Sequence, residues 1–159
     1  MKVLLVNPNT FTTPSAPPLA LDCLEAALDG SAHEARLLDL TFEPEPESAL
    51  ARALEEFRPE VAGFTVRNVD TVIYRGNRFF LPRIKLLVDI PRRAGVTTVL
   101  GGAGFSLFGE AVLDYLGADY GVSGPGGLAF PALLGMLSRG AGPKERLIDG
   151  WRYGIDPLL

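Results

Sequence analysis

Four short stretches carry the residues of this chain that could meet a ligand: Asn7-Pro8-Asn9-Thr10, Thr65-Val66-Arg67-Asn68, Gly101-Gly102-Ala103-Gly104 and Ser123-Gly124-Pro125-Gly126. Each closes a run of branched or small apolar residues, the pattern of a buried strand cut off by turn formers. Glycine permits positive φ and lets a ligand touch the backbone, and N–H groups beside helix N-termini suit phosphate or amide oxygens. Taken singly, each glycine is better explained as a tight strand-to-helix turn, since such connections are short. Several small polar loops on one rim favour a large ligand. The candidate binding residues are therefore Asn7, Asn9, Thr10, Thr65, Arg67, Asn68, Gly101, Gly102, Ser123, Gly124 and Gly126, with Arg67 the one charge among them. No residues combine into a catalytic constellation, and no metal-ligand set is present.

The scarcity of reactive side chains excludes whole classes. Cys23 is the one cysteine and His33 the one histidine in 159 residues, so disulfide frameworks, zinc ribbons, iron–sulfur clusters and histidine-based metal hydrolases have no ligands here. A net charge of −4 and a pI near 5.0 argue against nucleic-acid binding by phosphate contacts. The charge is uneven: residues 61–95 hold seven basic and two acidic groups, whereas residues 1–60 hold four and eleven. Apolar runs such as Val3 to Val6 are far too short to span a bilayer, and Met1-Lys2 opens directly into a strand pattern rather than a signal peptide. A soluble cytoplasmic protein with no nucleic-acid or membrane partner is expected.

Alternating elements must position the four loops. Val3 to Val6 reads as the first strand. Leu21, Leu24 and Leu28 follow at helical spacing after Pro17-Pro18, with Gly30 as the stop. Glu34 to Leu40 reads as a second strand, residues 43–47 as an extended acidic linker, and Leu50, Leu54 and Phe57 as a helix face ended by Pro59. Val61 to Val66 is a third strand, and Ile84, Leu87 and Val88 mark a helix with Pro82 in its first turn. Thr97 to Leu100 and Ala118 to Val122 are further strands. Ser106 is the expected N-cap of a helix running to Leu116, and Leu133, Leu134 and Leu137 define the last helix. From about Gly140 the pattern lapses into an irregular tail whose Trp151, Tyr153, Ile155, Leu158 and Leu159 are too apolar for a free solvated tail and are expected to pack back on the domain or on a further partner. Five strands alternating with five helices specify an α/β, flavodoxin-like, doubly wound five-stranded parallel sheet of order 2-1-3-4-5, in which ligands sit at the carboxyl ends of the strands.

Several segments together resemble a family. Val-Leu-Leu-Val-Asn-Pro at 3–8, Pro-Pro-Leu-Ala-Leu at 17–21, Arg-Asn-Val-Asp at 67–70, Leu-Gly-Gly-Ala-Gly-Phe-Ser at 100–106 and Gly-Ala-Asp-Tyr-Gly-Val-Ser-Gly-Pro-Gly at 117–126 are similar to the N-terminal cobalamin (vitamin B12)-binding domain of cobalamin-dependent radical S-adenosylmethionine (SAM) enzymes. The resemblance implies a Rossmann-like cobalamin-binding domain over residues 1–139, with 140–159 as a tail or linker. It also implies one bound cobalamin contacting the candidate residues, its nucleotide tail lined by Gly101, Gly102, Gly124 and Gly126.

Two departures from the family are visible. Pro125 and Gly127 stand where the family usually has the glutamates of a Gly-Glu-Gly-Glu run, and no Cys-x3-Cys-x2-Cys motif follows. S-adenosylmethionine and an iron–sulfur cluster are thus expected only in a separate or missing domain, and this chain serves as cobalamin module of, or partner to, a radical SAM methyltransferase. Many cobalamin domains place a histidine from an Asp-x-His-x-x-Gly motif under the cobalt. His33 lacks that context and falls between the first helix and second strand, at the far end of the sheet. The resemblance then implies base-off cobalamin without a histidine ligand, with Arg67 approaching the lower face; paired with Asp70, Arg67 would instead be an ordinary surface arginine.

The basic segment Arg75, Arg78, Arg83, Lys85, Arg92 and Arg93 reads either as a solvated face or as a docking surface anchored by Phe79 and Phe80. Cys23 reads as a packed core thiol. A receiver domain is excluded by Asn7, Thr65 and Ser123 at its acid and lysine positions, and the aspartate/hydantoin racemases, whose start Asn7-Pro8-Asn9-Thr10 resembles, by their need for two cysteines. An FMN-binding flavodoxin using the hydroxyl-rich loop Asn9 to Thr13, and a ligand-free interaction domain, stay open as alternatives.

Overall fold

A computed structural model describes residues 1–12, 15–71 and 73–154. The elements run β1 (Lys2–Asn7), α1 (Leu19–Leu28), β2 (Glu34–Asp39), α2 (Pro46–Phe57), β3 (Val61–Thr65), α3 (Leu81–Arg93), β4 (Thr97–Gly101), α4 (Ala103–Leu116), β5 (Tyr120–Ser123), α5 (Gly126–Ser138) and β6 (Leu147–Asp149), closed by a 3₁₀ turn at Gly150–Tyr153. All strand pairs are parallel, in the order β2-β1-β3-β4-β5-β6. The chain reverses its winding between β1 and β3, which opens a crevice at their carboxyl ends.

Strand alternation divides the core. Val3, Leu5, Val61, Val99 and Val122 face α1 and α5, while Leu4, Val6, Ala62, Phe64 and Leu100 face α2, α3 and α4. Strands β1, β3 and β4 are therefore covered on both sides, as right-handed crossovers require, while the edge strand β2 has no fully buried residue.

The sheet has six strands rather than five. Leu147, Ile148 and Asp149 pair with Gly121, Val122 and Ser123, so part of the expected irregular tail is an edge strand. Three residues are too short to show a period, and only Ile148 among them is buried. Two glycines seat this edge. Gly109 breaks α4 at φ 32°, where an added Cβ would lie 3.3 Å from Leu147, and the Trp151 indole rests against Gly124. Trp151 thus packs back as expected; residues 155–159 lie outside the described residues.

Two helix starts also differ. The acidic linker ends sooner, because Pro46 and Glu47 already form the first turn of α2. Ser106 is not the N-cap of α4, which begins at Ala103 behind Gly102. The N–H groups of Gly104 and Phe105 instead donate to the carbonyls of Arg67 (2.9 Å) and Val66 (3.0 Å), so backbone from the loop after β3 caps the helix. That close approach explains Gly102: its φ is +101°, and a Cβ there would stand 2.8 Å from both Val66 O and Thr65 Oγ1.

Much of the basic segment is consumed inside the fold. Arg83 makes a two-pronged ion pair with Glu47 that ties α3 to α2, Lys85 donates to the Tyr115 carbonyl, and Arg92 bonds the Gly117 carbonyl at 3.1 Å. Phe80 is not a free anchor, since it packs on the core and against Phe11 at 5.8 Å between rings. Tyr74 and Phe79 are exposed.

Candidate functional site

Above the middle of the sheet, on the α1/α5 face, lies a cavity of about 490 Å³. Such a volume falls within the roughly 300–1,000 Å³ range of small-molecule sites. Its floor is set by inward-facing strand positions: Leu5 of β1, Gly63 and Thr65 of β3, Val99 and Gly101 of β4, and Val122 of β5. Leu21, Cys23 and Leu24 of α1 and Phe130 of α5 wall it, and the Gly124 to Gly127 loop and Gly102 edge its mouth. Gly101 leaves real space: a Cβ there would meet only Val122 O, at 3.8 Å. At Gly63 the same atom would reach Leu5 and Phe130 at 3.4 Å. A glycine in the interior of a strand marks such close approach, so Gly63 is a signal for this floor that the choice of rim residues passed over.

Polar groups gather at the mouth. Ser106 Oγ donates to the Gly102 carbonyl and accepts from Gly124 N–H, both at 2.9 Å, which locks the β4–α4 and β5–α5 loops together. Helix α5 starts without a side-chain cap, and the N–H groups of Gly126 and Gly127 donate to nothing among the described residues. Those donors and the helix dipole suit an anion.

A smaller cavity of about 220 Å³ opens on the other side of Thr65, lined by Asn9, Thr10, Arg67 and Asn68 among others. The Arg67 guanidinium enters no ion pair among the described residues, and the Asp70 carboxylate accepts from Asn77 Nδ2 at 3.0 Å. Asn9 is partly occupied locally, its Oδ1 accepting from Phe11 N–H at 3.0 Å. Thr13, part of the hydroxyl-rich loop considered for FMN, lies outside the described residues.

The structure thus brings Thr65, Gly101, Gly102, Gly124 and Gly126 to the large cavity and Asn9, Thr10, Thr65, Arg67 and Asn68 to the small one, Thr65 joining the two. Asn7 and Ser123 line neither. The Asn7 side chain is buried and donates to Asp39 Oδ1 (2.8 Å) and Thr41 Oγ1 (3.1 Å), fastening the ends of β1 and β2. Ser123 Oγ points to the Ser106 carbonyl at 3.5 Å. Cys23 is half-buried and belongs to the cavity wall rather than the core. Ser106, Leu24 and Phe130 are additions to the candidates.

His33 is remote from all of this. It precedes β2, at the amino ends of the strands, with Nδ1 3.5 Å from the Met1 ammonium. Burial and that positive charge hold its pKa below the usual value, against a smaller opposing pull from Glu60. No group of histidine, cysteine, aspartate and glutamate able to hold a metal occurs among the described residues.

Comparison with known proteins decides the family. A model of the B12 binding domain matches residues 12–134. The chain belongs to the B12-binding domain family. This B12-binding domain is 41% identical over 150 residues to tryptophan 2-C-methyltransferase of Streptomyces laurentii, covering 93% of this chain and 25% of that protein. It is also similar to the radical S-adenosylmethionine methyltransferase TsrM of Kitasatospora setae, solved with cobalamin and a [4Fe-4S] cluster, at 37% identity and a TM-score of 0.83 over 90% of this chain and 25% of that one. The cobalamin-dependent radical enzyme OxsB, with aqua-cobalamin, shares the fold at 15% identity and a TM-score of 0.68, over 91% of this chain and 20% of that one. The domain spans about a quarter of the length of the first two relatives. Among the described residues no helix is long and apolar enough to cross a membrane.

Proposed function

We propose that this chain is the cobalamin-holding module of a radical S-adenosylmethionine methyltransferase, working in the cytoplasm with a catalytic domain that carries the cluster and S-adenosylmethionine. Membership of the B12-binding family and the likeness to two methyltransferases support this reading. The observation that carries it is the glycine-floored cavity between the sheet and α1/α5, which opens at the carboxyl ends of the strands. Its depth takes the base of the nucleotide tail, and the uncapped N–H groups of Gly126 and Gly127 at its mouth meet the tail's phosphate. Thr65, Gly101, Gly102 and Gly124 line that tail. Asn9, Thr10, Arg67 and Asn68 then serve the corrin side of the rim.

Bound cobalamin supplies a cobalt centre that can carry a methyl group. The chain's own part is to hold the cofactor base-off and to leave the lower face without an imidazole, since His33 sits at the opposite end of the sheet. The guanidinium of Arg67, which enters no ion pair among the described residues, lends a fixed positive charge there and cannot itself coordinate. Asn7 and Ser123 act one step back, fixing the loops that the other residues use. Cys23 alone cannot assemble a cluster, so the isolated chain transfers no methyl group.

Mixing the purified chain with hydroxocobalamin and separating free cofactor by gel filtration tests the assignment. One equivalent retained, with a visible spectrum shifted toward the base-off form, is the expected result. Passage of all cofactor in the free fraction contradicts it, and retention of FMN instead would favour the flavodoxin alternative.

A further inference from the structure

The polarity of the cavity changes with depth, and this bears on which cofactor it accepts. Cobamides share one corrin and differ in the base of the nucleotide tail, which is a benzimidazole, a purine or a phenol. The hydrogen-bonding side chains, Thr65 and Ser106, stand at the level of the loops, where strands end and α4 begins. Ser106 is already committed, its one proton given to the Gly102 carbonyl and a lone pair taken by Gly124 N–H. Deeper, toward the middle of the strands, the walls are Leu5, Val99, Leu21, Leu24 and Phe130, with the Cys23 thiol as one weak donor. Backbone groups of the strands there are spent on the sheet ladders.

We infer that this cavity selects the cobamide by its base, accepting benzimidazole and phenolic bases and rejecting adenine. The inference rests on the placement of the tail proposed above. Adenine carries an exocyclic amino group and three ring nitrogens free to accept, and apart from the one weak Cys23 thiol those walls offer them no partner, whereas a benzimidazole leaves a single ring nitrogen and a phenolic base none. A buried polar group left unpaired costs enough to weaken binding about tenfold or more. A benzimidazole or a cresol presents mainly ring carbons and methyl groups to the same surface. Because the base is held by apolar contact and not by what it coordinates, a phenolic base lacking any ring nitrogen binds as well as the benzimidazole one.

Four compounds in their hydroxo or aquo forms test this by equilibrium dialysis against the 159-residue chain: cobalamin, a p-cresolyl cobamide, an adeninyl cobamide and cobinamide, which has no nucleotide tail. The expected order is cobalamin and the cresolyl form within a few-fold of each other, with the adeninyl form and cobinamide at least about tenfold weaker. An adeninyl cobamide bound as tightly as cobalamin, with cobinamide still weak, overturns the selectivity and leaves the tail in the cavity. A cresolyl form as weak as the adeninyl one also overturns it, since the base nitrogen would then be recognised. Cobinamide binding as well as cobalamin removes the tail from the cavity and takes both readings down, as does no binding by any of the four.

Discussion

Gly101→Val separates the cofactor's place from the folding role of glycine. Gly101 ends β4 on the face turned toward α1 and α5, has no positive φ, and an added Cβ meets only Val122 O at 3.8 Å. The added Cβ therefore meets protein only in ordinary van der Waals contact, at a position that lines the cavity. A branched residue also suits a strand, where glycine costs about 0.5–1 kcal/mol, so the variant melts at or slightly above the parent. Ligand binding behaves oppositely. An aromatic ring system of indole size buries roughly 150–250 Å², which at about 25 cal/mol per Å² amounts to roughly 4–6 kcal/mol. Three added carbons that displace half of this contact cost about 2–3 kcal/mol, or roughly 30- to 150-fold in Kd for cobalamin. Thermal melting with parallel cobalamin titration reads both effects. A folded Gly101→Val chain that binds cobalamin as the parent does refutes the placement. Gly102→Val cannot stand in for it, because a Cβ at that position strikes Val66 O and Thr65 Oγ1 at 2.8 Å and disturbs the loop whether or not a cofactor is present.

Paramagnetic resonance of the cobalt(II) complex is expected to lack nitrogen triplets, and His33→Ala to leave the spectrum unchanged; triplets that vanish in this variant would put His33 under the cobalt. The depressed pKa of His33 means that the unfolded chain takes up its proton at higher pH than the folded one, so stability falls as pH drops through the ordinary histidine range. Denaturant melts between about pH 7.5 and 5.5 should show a smaller loss in His33→Gln than in the parent. Glu47→Gln weakens the clamp between α2 and α3, and with both partners about two-fifths exposed the cost is less than about 1 kcal/mol, read as a small fall in Tm with cobalamin affinity intact.

The strand–helix alternation is legible because β1, β3 and β4 each combine a branched apolar run with an abrupt stop at Asn7, Thr65 or Gly101. The rim follows from that alternation, since parallel strands bring all the stops to one edge. What escapes the sequence depends on partners distant along the chain. Ser106 has the chemistry of an N-cap, yet carbonyls of Val66 and Arg67 some forty residues earlier fill that role. Asn7 looks like a rim ligand and is spent on Asp39 and Thr41. Strand β6 owes its existence to the free edge of β5 and the kink at Gly109, neither of which marks residues 147–149 themselves. The depth of the cavity is partly legible: Leu5, Gly63 and Val99 share the face set by strand alternation, but only the packing of α1 and α5 leaves the space between them open.

Alkylation of Cys23 tests most directly whether the tail enters that space. It is the sole cysteine and stands half-buried in the cavity wall, so the mass added by iodoacetamide reports one position. With saturating methylcobalamin the labelling rate should fall to the limit set by cofactor dissociation, while cobinamide should leave it near the rate of the free chain. Cys23 labelled equally fast with cobalamin demonstrably bound would contradict the cavity as the seat of the nucleotide tail.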